Sequence, residues 1–157
     1  ANGRFTGAQR VLYELVLDPR DPTAAESVVV RPLLGALSHE GIEMDAAGNV
    51  YVIDEDRRGS IYKFVPENYG DLSSGQLYAL KVAGGAKTGA AEWVALDMDQ
   101  VQISARVAAA AVGATQFCRP EDLERIAQRA RQLGIGTAAP RTDGCVPGNE
   151  SPLAWVT

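Results

Sequence analysis

Apolar residues fall in short runs along the first two-thirds of the chain, and turn-forming residues separate the runs. The runs are rich in β-branched and aromatic residues, which is typical of β-strands. Short strands at this spacing favour a sandwich, barrel or propeller over alternating β–α–β units. The predicted strands comprise residues 11–17, 27–31, 41–44, 50–54, 60–65, 77–82 and 92–96.

The clearest unit is the segment 41–65, where two turns join three predicted strands. Gly48 and Asn49 tolerate positive φ, so this pair predicts a tight connection and an antiparallel meander. The run 50–53 is continuously apolar, as expected for a strand that is buried on both faces. Residues 61–65 mix apolar and polar side chains, so we expect them to form an outer strand. This gradient is typical of one blade of a β-propeller.

The last third of the chain has a helical pattern. Residues 99–112 are rich in alanine and contain no Gly or Pro, which predicts a helix;. Residues 119–133 predict a second helix, because Pro120 and Glu121 suit its first turn and Gly134 suits its end. The expected fold class is therefore mainly β, a portion of a propeller with one or two helices in the C-terminal third.

The predicted domain organisation is one β-propeller domain over residues 1–157, with a helical insertion at residues 99–134. Only one copy of the 41–65 pattern is found, whereas a closed propeller needs at least about four blades. We therefore expect the chain to be an incomplete propeller.

Composition narrows the functional classes. The net charge of −5, from 20 acidic and 15 basic residues, argues against nucleic-acid binding, which needs a basic surface;. No apolar run reaches the roughly 18 residues of a membrane-spanning helix. The two cysteines, Cys118 and Cys145, form either one disulfide in an oxidising compartment or two buried thiols;.

Two motifs suggest a family. The first contains Ser38-His39-Glu40, then Gly48-Asn49-Val50-Tyr51, then Glu55-Asp56-Arg57, and the second contains Arg119-Pro120-Glu121-Asp122. In this order they resemble the PhoX-type alkaline phosphatase family of exported bacterial proteins. The resemblance covers about residues 11–123 of the chain.

The resemblance implies a six-bladed propeller, export to the periplasm or the extracellular space, and hydrolysis of small phosphate monoesters. It also implies calcium and iron as cofactors, because the family has a centre that contains both metals. The metal ligands that it implies are Glu40, Glu121 and Glu55, and Arg57 is the implied substrate-binding residue. It assigns no catalytic side chain.

Each of these residues also has a purely structural interpretation. Glu40 can be a solvated acid before a strand, Glu55 can form a local ion pair in an acidic loop, and Glu121 can stabilise a helix N-terminus. His39, the one histidine of the chain, is interpreted as a packing or hydrogen-bonding residue. The alternative function is accordingly a non-catalytic exported propeller that binds a ligand or a partner.

Overall fold

The computed structural model describes residues 11–18, 21–87, 89–120 and 123, and these form two antiparallel sheets and a helix. The first sheet is the hairpin β1–β2, and the second is a five-stranded meander in the order β3-β4-β5-β6-β7. The elements are β1 (Leu12–Asp18), β2 (Asp21–Arg31), β3 (His39–Met44), β4 (Val50–Asp54), β5 (Ile61–Pro66), β6 (Gly75–Val82), β7 (Ala91–Ala95) and α1 (Met98–Ala111).

The meander predicted over residues 41–65 is confirmed. β3 pairs with β4 and β4 pairs with β5, both in antiparallel register. Gly48 has a φ of 84° in the β3–β4 turn, a conformation that glycine adopts without strain;. All five residues of β4 are buried, as the continuous apolar run predicts.

The prediction that residues 61–65 form an outer strand is wrong. β5 is the central strand of the five, because β6 and β7 extend the sheet beyond it. The polar residue that suggested an edge, Lys63, is accommodated over aromatic rings. Its Nζ lies 5.6 Å from the ring centroid of Tyr51 and 6.0 Å from that of Trp93. Such cation–π contacts let a lysine occupy a central strand.

The side chain of Asp45 organises the β3–β4 turn. Its Oδ1 accepts hydrogen bonds from the amides of Ala47 (2.9 Å) and Asn49 (3.0 Å), and its Oδ2 accepts from Asn49 Nδ2 (2.8 Å) and the Tyr51 hydroxyl (3.0 Å). Burial alone raises the pKa of Asp45, but these hydrogen bonds outweigh burial and lower the pKa;. Burial, together with the Asp45 contact, raises the pKa of Tyr51 to about 12.

The five-stranded sheet is covered on both faces. One face packs against α1 and the turn before β3, and the apolar core on this face is the larger of the two. The other face packs against Phe117 and Leu123 from the end of the described chain. The larger core includes Leu34, Leu37, Val50, Val52, Tyr62, Phe64, Leu77, Ala79, Val101, Ala105 and Ala108, and the smaller one includes Ile53, Ile61, Val82 and Phe117.

Helix α1 is interrupted at Ser104, whose backbone is extended (φ −162°, ψ 102°). In a regular helix the Ala105 amide would donate to the Val101 carbonyl. Here the backbone of Ala36 lies between these groups, because its amide donates to Val101 at 3.0 Å and its carbonyl accepts from Ala105 at 3.1 Å. Insertion into the hydrogen-bond ladder is a recognised cause of helix kinks. The turn before β3 is thereby fixed to α1.

The helical insertion expected at residues 99–134 is described only over 99–120 and at 123, and within this part it is helical in its first portion. The predicted helix 99–112 is confirmed as α1, but residues 112–120 and 123 are not helical. Residues 114–119 instead cross the start of β5 and are held there by hydrogen bonds to β6 and to the loop after β4. The remainder of the predicted second helix lies outside the described residues. In the described part of the chain, no helix is both long and apolar enough to span a membrane.

We predict that Asp45→Ala lowers the free energy of unfolding of the complete protein by about 1–2 kcal/mol at neutral pH, because the turn loses its acceptor. The folded pKa of Asp45 is depressed, so its contribution is present above about pH 4 and is lost as the pH falls further;. Denaturant unfolding at neutral and acid pH measures both effects.

Asp71→Ala is the control for this prediction. Asp71 accepts hydrogen bonds from Ser73 within a single exposed loop, so its removal should matter less. A difference between wild type and Asp45→Ala that stays constant into acid would contradict the prediction.

Candidate functional site

The first and last parts of the first motif, Ser38-His39-Glu40 and Glu55-Asp56-Arg57, lie side by side at one end of the five-stranded sheet. His39 at the start of β3 pairs with Asp54 at the end of β4. The Glu55 amide then donates a 2.8 Å hydrogen bond to the Ser38 carbonyl. The Ser-His-Glu and Glu-Asp-Arg segments are therefore neighbours because β3 and β4 form a hairpin.

The second motif joins them through the segment 114–119. The Phe117 amide donates to the Gly59 carbonyl at 2.7 Å, and the Arg119 amide donates to the Asp56 carbonyl at 2.7 Å. These backbone hydrogen bonds bring the start of the Arg-Pro-Glu-Asp motif to the loop after β4, although more than 60 positions separate them.

The side chains of His39, Asp54, Glu55, Asp56, Arg106 and Arg119 form a polar cluster at this end of the sheet. A buried ion pair lies at its centre. Asp54 is fully buried, and Nε and Nη2 of Arg106 from α1 donate to its two carboxylate oxygens at 2.7 Å each. The Ser38 amide donates to the same carboxylate at 2.9 Å. Arg106 Nη1 also lies 3.1 Å from a carboxylate oxygen of Asp56. The hydrogen bonds to Asp54 raise the pKa of Arg106 further, so one fixed cation holds two carboxylates;.

A second ion pair connects the two motifs directly. Arg119 Nε donates to Glu55 Oε1 at 3.0 Å, and Nη2 donates to the same oxygen. The ion pair considered for Glu55 is therefore present. Arg119 also has a φ of 45°, in the left-handed region that residues other than glycine rarely adopt;. Residues held in such conformations are concentrated at functional sites.

His39 is a hydrogen-bonding residue in the interior of the cluster. Its Nε2 lies 2.9 Å from the Gly35 carbonyl, which only accepts, so Nε2 carries the proton;. Its buried Nδ1 has no hydrogen-bond partner within the described residues. Burial lowers the pKa of His39, although the Gly35 hydrogen bond and the nearby Asp54 charge oppose this effect;. The ring is therefore neutral near pH 7.

The remaining predicted site residues are less constrained. Glu40 on β3 and Arg57 in the loop after β4 are both exposed. Glu121 lies outside the described residues. Across residues 11–18, 21–87, 89–120 and 123, no group of three or more His, Cys, Asp or Glu side chains is arranged to hold a metal ion.

The two described carboxylates differ in how well they suit the implied metals. Carboxylate oxygens are the ligands that calcium prefers, so the exposed Glu40 fits as one contributing ligand. Glu55 would first have to exchange its ion pair with Arg119. A complete ligand set therefore requires groups beyond the described residues.

Sequence reasoning did not identify Asp54 and Arg106 as site residues. Each carries a signal in the sequence that can be interpreted afterwards. Asp54 ends an otherwise apolar run that forms a buried strand, and Arg106 is the one charged residue between Asp99 and Arg119. A single charge in an alanine-rich helix indicates a partner, but the sequence does not say which one.

A groove of about 610 Å³ lies elsewhere, between the β6–β7 hairpin and residues 113–116. Among the described residues that line it, none takes part in the ion pairs of Asp54, Glu55 or Asp56. Lys81 and Lys87 at its wall donate hydrogen bonds to the carbonyls of Val112 and Gln116, so they act there as local backbone supports.

Comparison with known proteins agrees with the motifs. The model of a family described as alkaline phosphatase PhoX matches residues 7–133. Among solved structures, the chain is similar to Pseudomonas fluorescens PhoX in complex with vanadate, a transition state analogue. The identity is 30% and the TM-score 0.52, over 64% of this chain and 23% of that chain. The chain thus spans less than a quarter of that protein. No curated protein sequence matches.

We predict that Gly59→Ala disrupts the cluster, because a Cβ at this position would lie 1.8 Å from the Asp54 carbonyl oxygen. The loop must move, and we expect a loss of about 3 kcal/mol or more in the free energy of unfolding. Gly84→Ala is the control for steric contact, because a Cβ at Gly84 would meet no atom within 4 Å, although Gly84, unlike Gly59, has a positive φ (67°). It should cost only the left-handed strain, about 1–2 kcal/mol. Equal losses in denaturant unfolding of the two variants would contradict this prediction.

Proposed function

The chain belongs to the PhoX alkaline phosphatase family, and from this premise we propose that it is part of a metal-dependent phosphatase that hydrolyses phosphate monoesters. The observation that carries the proposal is the convergence of the two family motifs in one polar cluster. In this proposal the chain contributes one portion of a six-bladed propeller, and the cluster forms part of the active site.

Calcium and iron are the proposed cofactors. Glu40 and Glu121 are the proposed ligands from this chain, with Glu55 as a third if it exchanges its partner. When bound, such cations neutralise phosphoryl oxygens and activate an oxygen nucleophile. Glu40 supports this assignment because it is an exposed carboxylate at the edge of the cluster.

A cation from the protein would complete the binding of a phosphate ester. Arg57 remains the residue that the resemblance implies, and it is exposed in the loop after β4. Arg119 is the better candidate, because its backbone is fixed to Asp56 and its guanidinium already lies in the cluster with Glu55. A guanidinium can donate two parallel hydrogen bonds to a phosphate. Exchange of Glu55 for a substrate phosphate would leave Glu55 free to act as a ligand.

The proposed location is outside the cytoplasm, in the periplasm or beyond the cell. The state of Cys118 supports this, because it is disulfide-bonded in the structure. Disulfides persist mainly in oxidising compartments. The proposed partner is a small phosphate ester, and the acidic net charge of −5 argues against nucleic acid;.

A non-catalytic binding module is the second candidate. The observation that favours it is the ion pair between Glu55 and Arg119, which neutralises one proposed ligand and one proposed phosphate-binding group together. A site of this kind could recognise a ligand without hydrolysing it.

We predict calcium-dependent hydrolysis of p-nitrophenyl phosphate by the complete protein, and its loss in Glu40→Gln and Glu121→Gln. Glutamine keeps the shape but removes the charge that a hard cation needs. Each change should lower metal content and kcat together by at least about 100-fold, since groups outside the ligand shell alone contribute 10- to 100-fold. The double variant should lose little more, because ligands of one centre act as a unit.

Glu43→Gln is the control, as Glu43 lies on the same strand as Glu40. It should keep the metal content and kcat of the wild type. Wild-type metal content in both test variants would disprove the ligand assignment. A metal-loaded wild type without turnover would favour the binding module.

A further inference from the structure

We propose that Arg106 and Asp54 are positioning residues of the phosphatase site, and that their ion pair sets the relative positions of the two family motifs. This inference rests on the proposed function. Neither residue belongs to the motifs that carry the family resemblance, and neither is assigned contact with substrate or metal.

The hydrogen bonds of Asp54 fix the first part of the first motif, Ser38-His39-Glu40. Its Oδ1 accepts from the Ser38 amide at 2.9 Å, two positions before Glu40, and the Glu55 amide binds the Ser38 carbonyl. Asp54 thus holds the start of β3 against the end of β4. The carboxylate can do this inside the protein only because Arg106 neutralises it;.

Arg106 also fixes the last part of the first motif, Glu55-Asp56-Arg57. Its Nη1 contacts the Asp56 carboxylate at 3.1 Å, while the Asp56 carbonyl accepts from the Arg119 amide. The guanidinium therefore holds the residues on either side of Glu55 in sequence, Asp54 and Asp56. Because the Asp56 carbonyl binds the Arg119 amide, it also fixes the position of Arg119. One side chain connects all three segments of the site.

The arrangement needs the fork of a guanidinium. Three nitrogens of Arg106 serve three separate carboxylate oxygens, two of Asp54 and one of Asp56. A lysine ammonium is a single point donor and cannot reproduce this geometry. Arg106→Lys consequently keeps the charge that neutralises Asp54 while removing the connection to Asp56. The Arg106→Lys variant therefore distinguishes a role in positioning the motifs from a role in neutralising the buried Asp54 carboxylate.

The support of α1 is built into the fold. Ala36 inserts into the interrupted helix two residues before Ser38, and Arg106 follows the interruption by two residues. The helix therefore holds the turn before β3 by its backbone and the loop after β4 by a side chain. A rigid second layer of this kind is what positions a site to within fractions of an ångström.

The test compares Arg106→Lys, Arg106→Ala and the control Arg31→Lys in the complete, metal-loaded protein. Arg31 also forms an ion pair, with Glu14, and its side chain is exposed to a similar degree (16% against 21%), but it lies on β2. With p-nitrophenyl phosphate, Arg106→Lys should lower kcat by about 10- to 100-fold with a much smaller change in KM, as misplacement of reacting groups predicts. Arg31→Lys should stay within about twofold of wild type.

Two further measurements exclude a merely structural role. Millimolar guanidinium should restore part of the kcat of Arg106→Ala, because it can fill the vacated position between Asp54 and Asp56. Hydrogen exchange should show lost protection at the amides of Ser38, Glu55 and Arg119 in Arg106→Lys, with β6 and β7 unchanged. An unchanged kcat in Arg106→Lys, or an exchange increase spread evenly over the sheet, would overturn the proposal.

The exchange measurement also separates this proposal from the proposed function. If the wild-type protein hydrolyses no phosphate ester, the phosphatase assignment fails, and the protection of the three amides alone decides whether Arg106 positions the motifs. If Arg106→Ala does not fold, Arg106→Lys still provides both readouts. Protection equal to wild type in Arg106→Lys would then refute the inference.

Discussion

Burial of the Asp54 carboxylate is the constraint on which the rest of the site depends. Removing a charge from water costs several kcal/mol, and an ion pair recovers this only with good geometry and further hydrogen bonds. Asp54 has both, from Arg106 and from the Ser38 amide. Such a pair adds little net stability compared with apolar packing, but it penalises every arrangement in which its partners are displaced. Its physical contribution is therefore a single defined geometry at the end of the sheet.

The interrupted helix explains how this geometry is maintained. A regular α1 would satisfy its own backbone and would leave the Ala36 peptide without partners beside it;. The extended conformation of Ser104 opens one turn, and the Ser104 hydroxyl accepts from the Val107 amide at 3.4 Å, in the manner of a helix N-cap;. The helix and the turn before β3 thus complete each other, and neither forms its full set of hydrogen bonds alone.

The cluster combines groups that differ in burial and in the number of their hydrogen bonds. Asp54 is buried, His39 and Arg106 are half-buried, and all three are held by hydrogen bonds, whereas Glu40 and Arg57 are exposed. Arg119 lies between these classes, since its backbone is strained and fixed while its side chain is paired with Glu55. This gradient suits a site in which a rigid interior supports a few groups that exchange partners when a ligand binds.

The sequence alone determined the strands, the antiparallel meander and the first helix, because periodicity and turn residues such as Gly48 act locally. Its motifs also identified the family. Only the tertiary structure decided the position of β5, since a strand becomes central through the strands that follow it in the chain and pair beyond it. The same holds for the site, where Asp54 meets Arg106 and Glu55 meets Arg119 by long-range pairing, although each alone has the pattern of an ordinary charged residue. Burial and charge pairing depend on contacts between distant segments, which a linear pattern does not contain.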